Sequence, residues 1–123
     1  MDVTPLVPKD RQVIDSYNAQ GFRVSGTLHV GPILVLPQAT HVWGVTSLGD
    51  IALSNLTPVL DAGVQILLLG CGKRMAQIPP RLREELRDHH VVVDAMDTGA
   101  ACRTYNVLLA EDRRVAAALL LNV

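Results

Sequence analysis

The sequence predicts an α/β fold in which helices pack on a mixed or mostly parallel central sheet, and three observations carry that expectation. Aliphatic runs of strand length recur at Ile33–Leu36, Ile66–Leu69, Val91–Val93 and Val115–Leu121. Between the later runs lie stretches whose apolar residues recur at helical spacing, so the second half of the chain alternates β-α-β-α-β. The first half is cut by Gly and Pro into short pieces and reads as a β-rich N-terminal part.

Each element has a local reason. Val13–Tyr17 and Gly21–Val24 flank Asn18-Ala19-Gln20, the spacing of a hairpin. Gly31-Pro32 turns the chain into the buried strand at Ile33–Leu36, and His41–Val45 is a further strand stopped by Thr46-Ser47. Ser54 is placed to cap a short helix that runs through Asp61, with Pro58 in its first turn and Gly63 ending it. Pro79-Pro80 starts a helix through about His90, with Leu82 and Leu86 as its buried stripe and Arg81, Arg83, Glu84, Glu85, Arg87 and Asp88 facing solvent. Thr98 to about Asp112 is helical, with Ala101, Tyr105, Leu108 and Leu109 turned inward.

Composition bounds the function. With 49% hydrophobic residues over 123 positions, the whole chain is expected to form a single domain that needs no metal or disulfide to fold. A net charge of -1 and 3% aromatic content leave neither a cationic footprint nor stacking platforms, so nucleic acid is excluded as a partner. The uncharged stretch from Val24 to Gly49 is interrupted by Pro32, Pro37, glycines and polar residues, which argues against direct membrane insertion. Cys71 and Cys102 lack a paired spacing, and the chain starts without a signal-like segment, so a cytoplasmic protein with reduced thiols is expected. Adjacent His89 and His90 diverge on a helix, and neither His29 nor His41 has an acidic or thiol partner at ligand spacing, so no metal or other cofactor is expected.

Two strand ends carry small and polar residues where an α/β sheet tends to bind ligands. At the first, Gly70-Cys71-Gly72-Lys73 resembles a phosphate loop, but only one residue separates the glycines, Arg74 follows the lysine, and Met75 stands where a dinucleotide fingerprint has its third glycine. At the second, Asp97-Thr98-Gly99-Ala100 matches the tetrapeptide around the catalytic aspartate of retroviral-type aspartic proteases. The residues after it are helical in pattern and lack the long β-structure that such proteases need, so Asp97 or Thr98 is read as a helix cap. Arg103 and Asn106 lie three apart near the start of that helix and suit either an anion or neighbouring loop carbonyls. The structural use is preferred, as a buried network whose loss costs about 2 to 5 kcal/mol. Cys102 lacks a nearby base and is read as a buried thiol.

Leu67-Leu68-Leu69-Gly70-Cys71-Gly72, the Pro79-Pro80 helix start, Met96 to Leu108 and Glu111 to Ala116 together resemble a small family of unknown-function proteins of bacteria and archaea. Its eukaryotic relatives include assembly factor three of mitochondrial respiratory complex I and an adipogenesis-associated cytoplasmic domain protein. The resemblance implies a three-layer α/β fold with a mixed central sheet and no established enzyme activity. It places the family's glycine turn on Gly70 and Gly72 and its helix-start cluster on Thr98, Ala101, Arg103, Thr104 and Asn106, with Cys71 replacing a small residue or threonine. The leading expectation is a non-enzymatic protein-binding or assembly-factor-like protein whose partner is a component of a respiratory or membrane complex. The alternative is a small-molecule or anion-binding protein, or an unrecognised enzyme, with Gly70, Cys71, Gly72, Thr98, Arg103, Thr104 and Asn106 lining a crevice. Homo-oligomerisation is left open, because Leu119-Leu120-Leu121 suits either the core or a protomer contact.

Overall fold

A computed structural model describes residues 11–123. Strands β1 (Ile14–Tyr17), β2 (Gly21–Val24) and β3 (Thr27–Val30) form a small antiparallel sheet in that order. Strands β4 (Ile33–Val35), β5 (Thr40–Val42), β6 (Ile66–Gly70), β7 (Val92–Met96) and β8 (Val115–Leu119) form the main sheet in the order β5-β4-β8-β6-β7. In it β6 runs parallel to both β7 and β8, whereas β4 is antiparallel to β8 and β5, so the sheet is mixed, as expected. Among the described residues there are three α-helices: α1 (Thr57–Asp61), α2 (Pro80–Asp88) and α3 (Thr98–Ala110).

Strand alternation sorts the aliphatic residues onto two faces and makes three layers. Leu34, Leu67, Leu69, Ala116 and Ala118 point to one side, where Val59 of α1, Leu82 and Leu86 of α2 and Trp43 meet them. Ile33, Val35, Leu68, Val115, Ala117 and Leu119 point to the other, where Ala101, Cys102, Tyr105 and Leu109 of α3 pack together with Ile14, Phe22 and Val24 of the small sheet. Both faces of β8 are covered, and every one of its residues is buried. This explains why Val115–Leu119 reads as a continuous apolar run rather than an alternating one. Leu119 and Leu120 are core residues and Leu121 is half-buried, which assigns that triplet to the core.

Several local features differ from the sequence expectation, among them β5, which ends at Val42 and not at Val45. Thr27–Val30 is a strand that hydrophobic periodicity missed, because it is exposed on both faces except at half-buried His29. It is joined to β2 by a two-residue turn in which Ser25 and Gly26 both take positive φ, the geometry of a type I′ hairpin. Ser54 caps no helix. The side chain of Asn55 takes the Ala52 N–H and donates to the Asp50 carbonyl, holding Leu53–Asn55 in a 3₁₀ turn, and α1 starts only at Thr57. The last two helices end earlier than the apolar spacing suggests, since His90 and Asp112 adopt positive φ just beyond them.

The centre of β8 is Ala116-Ala117-Ala118, all fully buried, with Ala116 and Ala118 on the α1 and α2 side and the small Ala117 side chain on the side where α3 packs against the strand. Ala117 faces α3 across that interface. Ala117→Leu is expected to cost about 1–3 kcal/mol by overpacking, measured as a lower midpoint in urea unfolding with an unchanged slope.

Candidate functional site

The carboxyl ends of β6 and β7 meet the amino-terminal end of α3, and Thr98 sits at the junction with no exposed surface. Its hydroxyl donates to the Leu120 carbonyl and accepts from the Gly72 N–H, both at 2.8 Å. Its own N–H donates to the Gly72 carbonyl at 2.7 Å. Cys71 N–H reaches the Met96 carbonyl at 2.9 Å, and Leu120 N–H reaches the Gly70 carbonyl at 3.0 Å. Backbone polar groups that a strand-to-loop transition would leave unsatisfied in the interior are thereby paired.

Both glycines of the turn are there for steric reasons. A Cβ on Gly70 would lie 2.9 Å from Leu119 Cδ2 and 3.0 Å from Thr98 Oγ1, so the threonine occupies the space a side chain would need. Gly72 has φ +91, a conformation that side chains rarely adopt. The phosphate-loop appearance of Gly70-Cys71-Gly72 thus comes from close packing against Thr98.

The start of α3 is closed as well. Asp97 accepts the Ala100 N–H at 2.9 Å, so the aspartate of the protease-like tetrapeptide serves as the helix N-cap. A Cβ on Gly99 would come within 3.1 Å of Tyr17 Cζ and press on its hydroxyl, which lies across this turn. Asp97-Thr98-Gly99-Ala100 therefore reads as cap, staple and clearance for Tyr17.

Of the residues singled out from the sequence, Gly70, Cys71, Gly72 and Thr98 come together, whereas Arg103 and Asn106 turn toward β1. The Asn106 side chain accepts the Ile14 N–H at 3.0 Å and donates to the Ile14 carbonyl at 2.8 Å, completing one strand edge much as a neighbouring strand would. Arg103 donates from Nη1 to the Tyr17 hydroxyl at 3.2 Å, and it is exposed, which corrects the expectation of a buried arginine. Thr104 is half-buried on α3 and takes no part in these bonds. Cys71 and Gly72 border a cavity of about 260 Å³ whose other walls include Pro32, Leu48, Leu121 and Val123. Tyr17 and Tyr105 were not singled out as polar anchors. Tyr105 donates to the Gln12 carbonyl at 2.9 Å from a fully buried ring, and its spacing signalled only core.

Both thiols are held in their neutral form. Burial raises the Cys71 pKa, against hydrogen bonds from the backbone of Ala76 and Met96. Burial pushes Cys102 from 9.0 to about 12, with the neighbouring Arg103 charge opposing it. Cys102 is the core thiol that the sequence suggests, and neither sulfur has the depressed pKa of a nucleophile. Among the described residues, no group of three or more His, Cys, Asp or Glu side chains is placed to hold a metal ion. No helix among them is long and apolar enough to cross a membrane.

These features, a mixed sheet in three layers with a threonine-stapled β-to-α junction, define a small three-layer α/β protein. The chain belongs to the DUF498/DUF598 family of unknown function, which it matches over residues 14–120. It is 38% identical over 109 residues to the NADH dehydrogenase [ubiquinone] 1 alpha subcomplex assembly factor 3 of Xenopus tropicalis, covering 87% of this chain and 60% of that protein. The chain thus spans less than two thirds of that curated relative. The fold is shared with an outer membrane protein from Bartonella henselae, at TM-score 0.83 and 36% identity over 92% of this chain and 97% of the other. It is shared also with a Mth938-like domain from Bordetella pertussis, at TM-score 0.80 and 27% identity over 99% and 93%.

The staple and the exposed arginine should respond very differently to substitution. Thr98→Val keeps the shape but orphans the Gly72 N–H and the Leu120 carbonyl, an expected loss of about 2–6 kcal/mol at about 1–3 per buried group. Arg103→Ala removes one exposed hydrogen bond and should cost less than about 1 kcal/mol; chemical denaturation of the two variants side by side checks the contrast. Alkaline pH probes the buried thiol. Between pH 9 and about 12 the unfolded chain loses the Cys102 proton while the folded chain keeps it, so stability falls as pH rises through that window. Cys102→Ala should flatten the decline by up to about 1.4 kcal/mol per pH unit, read from urea midpoints collected across that range.

Proposed function

We propose that this protein acts without catalysis, by binding another protein, in the manner of an assembly factor. The carrying observation is the Thr98 staple: where an α/β sheet offers a ligand its best site, the polar groups at the ends of β6 and β7 are engaged by the chain's own side chain and backbone, and the cavity of about 260 Å³ left beside Cys71 and Gly72 is walled mostly by apolar residues. Burial keeps both thiols protonated, which makes neither a ready nucleophile. The relative from Xenopus tropicalis is named for assembly of NADH dehydrogenase, and that name supplies the partner class: a component of a respiratory or other membrane complex.

The test is a tagged chromosomal copy, crosslinked in intact cells and recovered under mild lysis. Enrichment of NADH dehydrogenase subunits or of their assembly intermediates over an untagged control is the expected result. Recovery of the protein by itself, from cells actively building respiratory complexes, would overturn the reading.

A further inference from the structure

A sheet edge presents unpaired N–H and C=O groups, and folded proteins defend such edges in recognisable ways. Among the described residues the two sheets have four edges, of which three are defended. Along β1, a bulge interrupts the register between Ile14 and Ser16, and the Asn106 amide occupies both polar groups of Ile14. Along β7, Arg83 donates to the Val93 carbonyl at 3.1 Å, and Asp94 places an exposed charge on the strand. The edge strand β5 is kept to three residues.

The fourth edge, β3, has none of these devices. Its residues Thr27, Leu28, His29 and Val30 include no formally charged side chain and no proline. Gly31 N–H donates to the Gln20 carbonyl at 2.9 Å, which makes Gln20 and Gly31 a bonded pair. With the register that pairs Phe22 with His29 and Val24 with Thr27, alternation then makes those the bonded pairs of β2 and β3. Leu28 and Val30 accordingly aim their backbone N–H and C=O groups away from β2. Among the described residues nothing outside the strand bonds to those groups. Their side chains, two apart and so on one face, are 57% and 71% exposed.

We propose that the open edge of β3 is a docking site for an extended segment of a partner protein, which adds as a fourth strand to the small sheet. This rests on the protein-binding reading above and names its surface. The backbone groups of Leu28 and Val30 require a partner in β conformation. The neutral, aliphatic character of the strand selects apolar side chains packing beside Leu28 and Val30 over charged ones. A second copy of this chain is the poorer occupant, because pairing two four-residue strands falls far short of the roughly 800 Å² per partner of a stable interface. A flexible segment, which bonds through its backbone and wraps further, is not held to that limit.

The test pans a phage-displayed library of random heptapeptides on the folded chain and titrates the selected peptides into nitrogen-15-labelled protein. The expected result is that the Leu28 and Val30 amides shift and exchange with solvent about tenfold or more slowly at saturation, as new hydrogen bonds require. Leu28→Pro removes an outward N–H that the β2 ladder does not use, a substitution edge strands tolerate, and should weaken binding by about tenfold or more. Leu28→Lys with Val30→Lys is the second variant, with the same expected loss. Failure to select any peptide, shifts that map elsewhere, or undiminished binding by a folded variant overturns the proposal. The cellular capture experiment separates the two readings. Respiratory subunits recovered equally by wild type and Leu28→Pro sink the β3 site and leave the assembly role standing, whereas peptide binding at β3 with no respiratory subunit captured does the reverse.

Discussion

The hydroxyl of Thr98 joins three pieces of chain just beyond the point where strand pairing holds them: the turn after β6, the start of α3 and the segment leaving β8. Its donor and acceptor are both used, in a place where water does not reach. The position accordingly selects for a side chain that is small, branched and hydroxylated. Gly70 and Gly72 are consequences of that choice, since a Cβ on the former would displace the threonine and the latter must take a positive φ to bring its N–H around. The orientation of α3 is set from the same point, and with it the reach of Asn106 and Tyr105 toward the N-terminal segment.

The two faces of the main sheet are buried by different means. On one, Leu82 and Leu86 of a strongly amphipathic α2 and the single tryptophan, whose indole donates to the Asn55 carbonyl at 2.9 Å, cover the strands. On the other, α3 and the small sheet share the work, and side-chain-to-backbone bonds add to the apolar packing between them. Tyr105 and Asn106 each bind main-chain groups more than ninety residues away, which ties the first strand to the third helix. This is why the small sheet sits as part of the third layer and not as an appendage.

Much of the fold was legible in the sequence, because aliphatic runs and helical spacing report directly on burial. Ile66–Leu69, the Leu82 and Leu86 stripe and the fully apolar β8 fell where their patterns placed them. The strand β3 was not legible, since neither of its faces is buried and periodicity has nothing to register. Ser54 misled for another reason: a capping residue type is also a turn residue type, and Asn55 beside it held the stronger set of bonds. At the candidate site Gly70, Gly72 and Thr98, which the sequence puts at two strand ends, lie in contact. The sequence had no means of telling a crevice from a staple, because small and polar residues at a strand end serve either. Arg103 was placed on the right helix with the wrong burial, as a stripe on a helical wheel does not say how far the neighbouring β1 extends over it.

The placement of β8 between β4 and β6 has a consequence for how the chain comes to be folded. A ribosome delivers β4 and β6 early, yet neither has its shared neighbour in the sheet until residues 115–119 emerge. Until then Ile33, Leu34, Leu67 and Leu68, which end with almost no exposed surface, stand open to water or to other chains. Loop closure across so many residues must come before any reward from the central strand, so the order of synthesis runs against the order of assembly. The alanine-rich strand that arrives after both of its neighbours is the keystone of the sheet, and until it appears the nascent chain leaves their aliphatic faces open to aggregation.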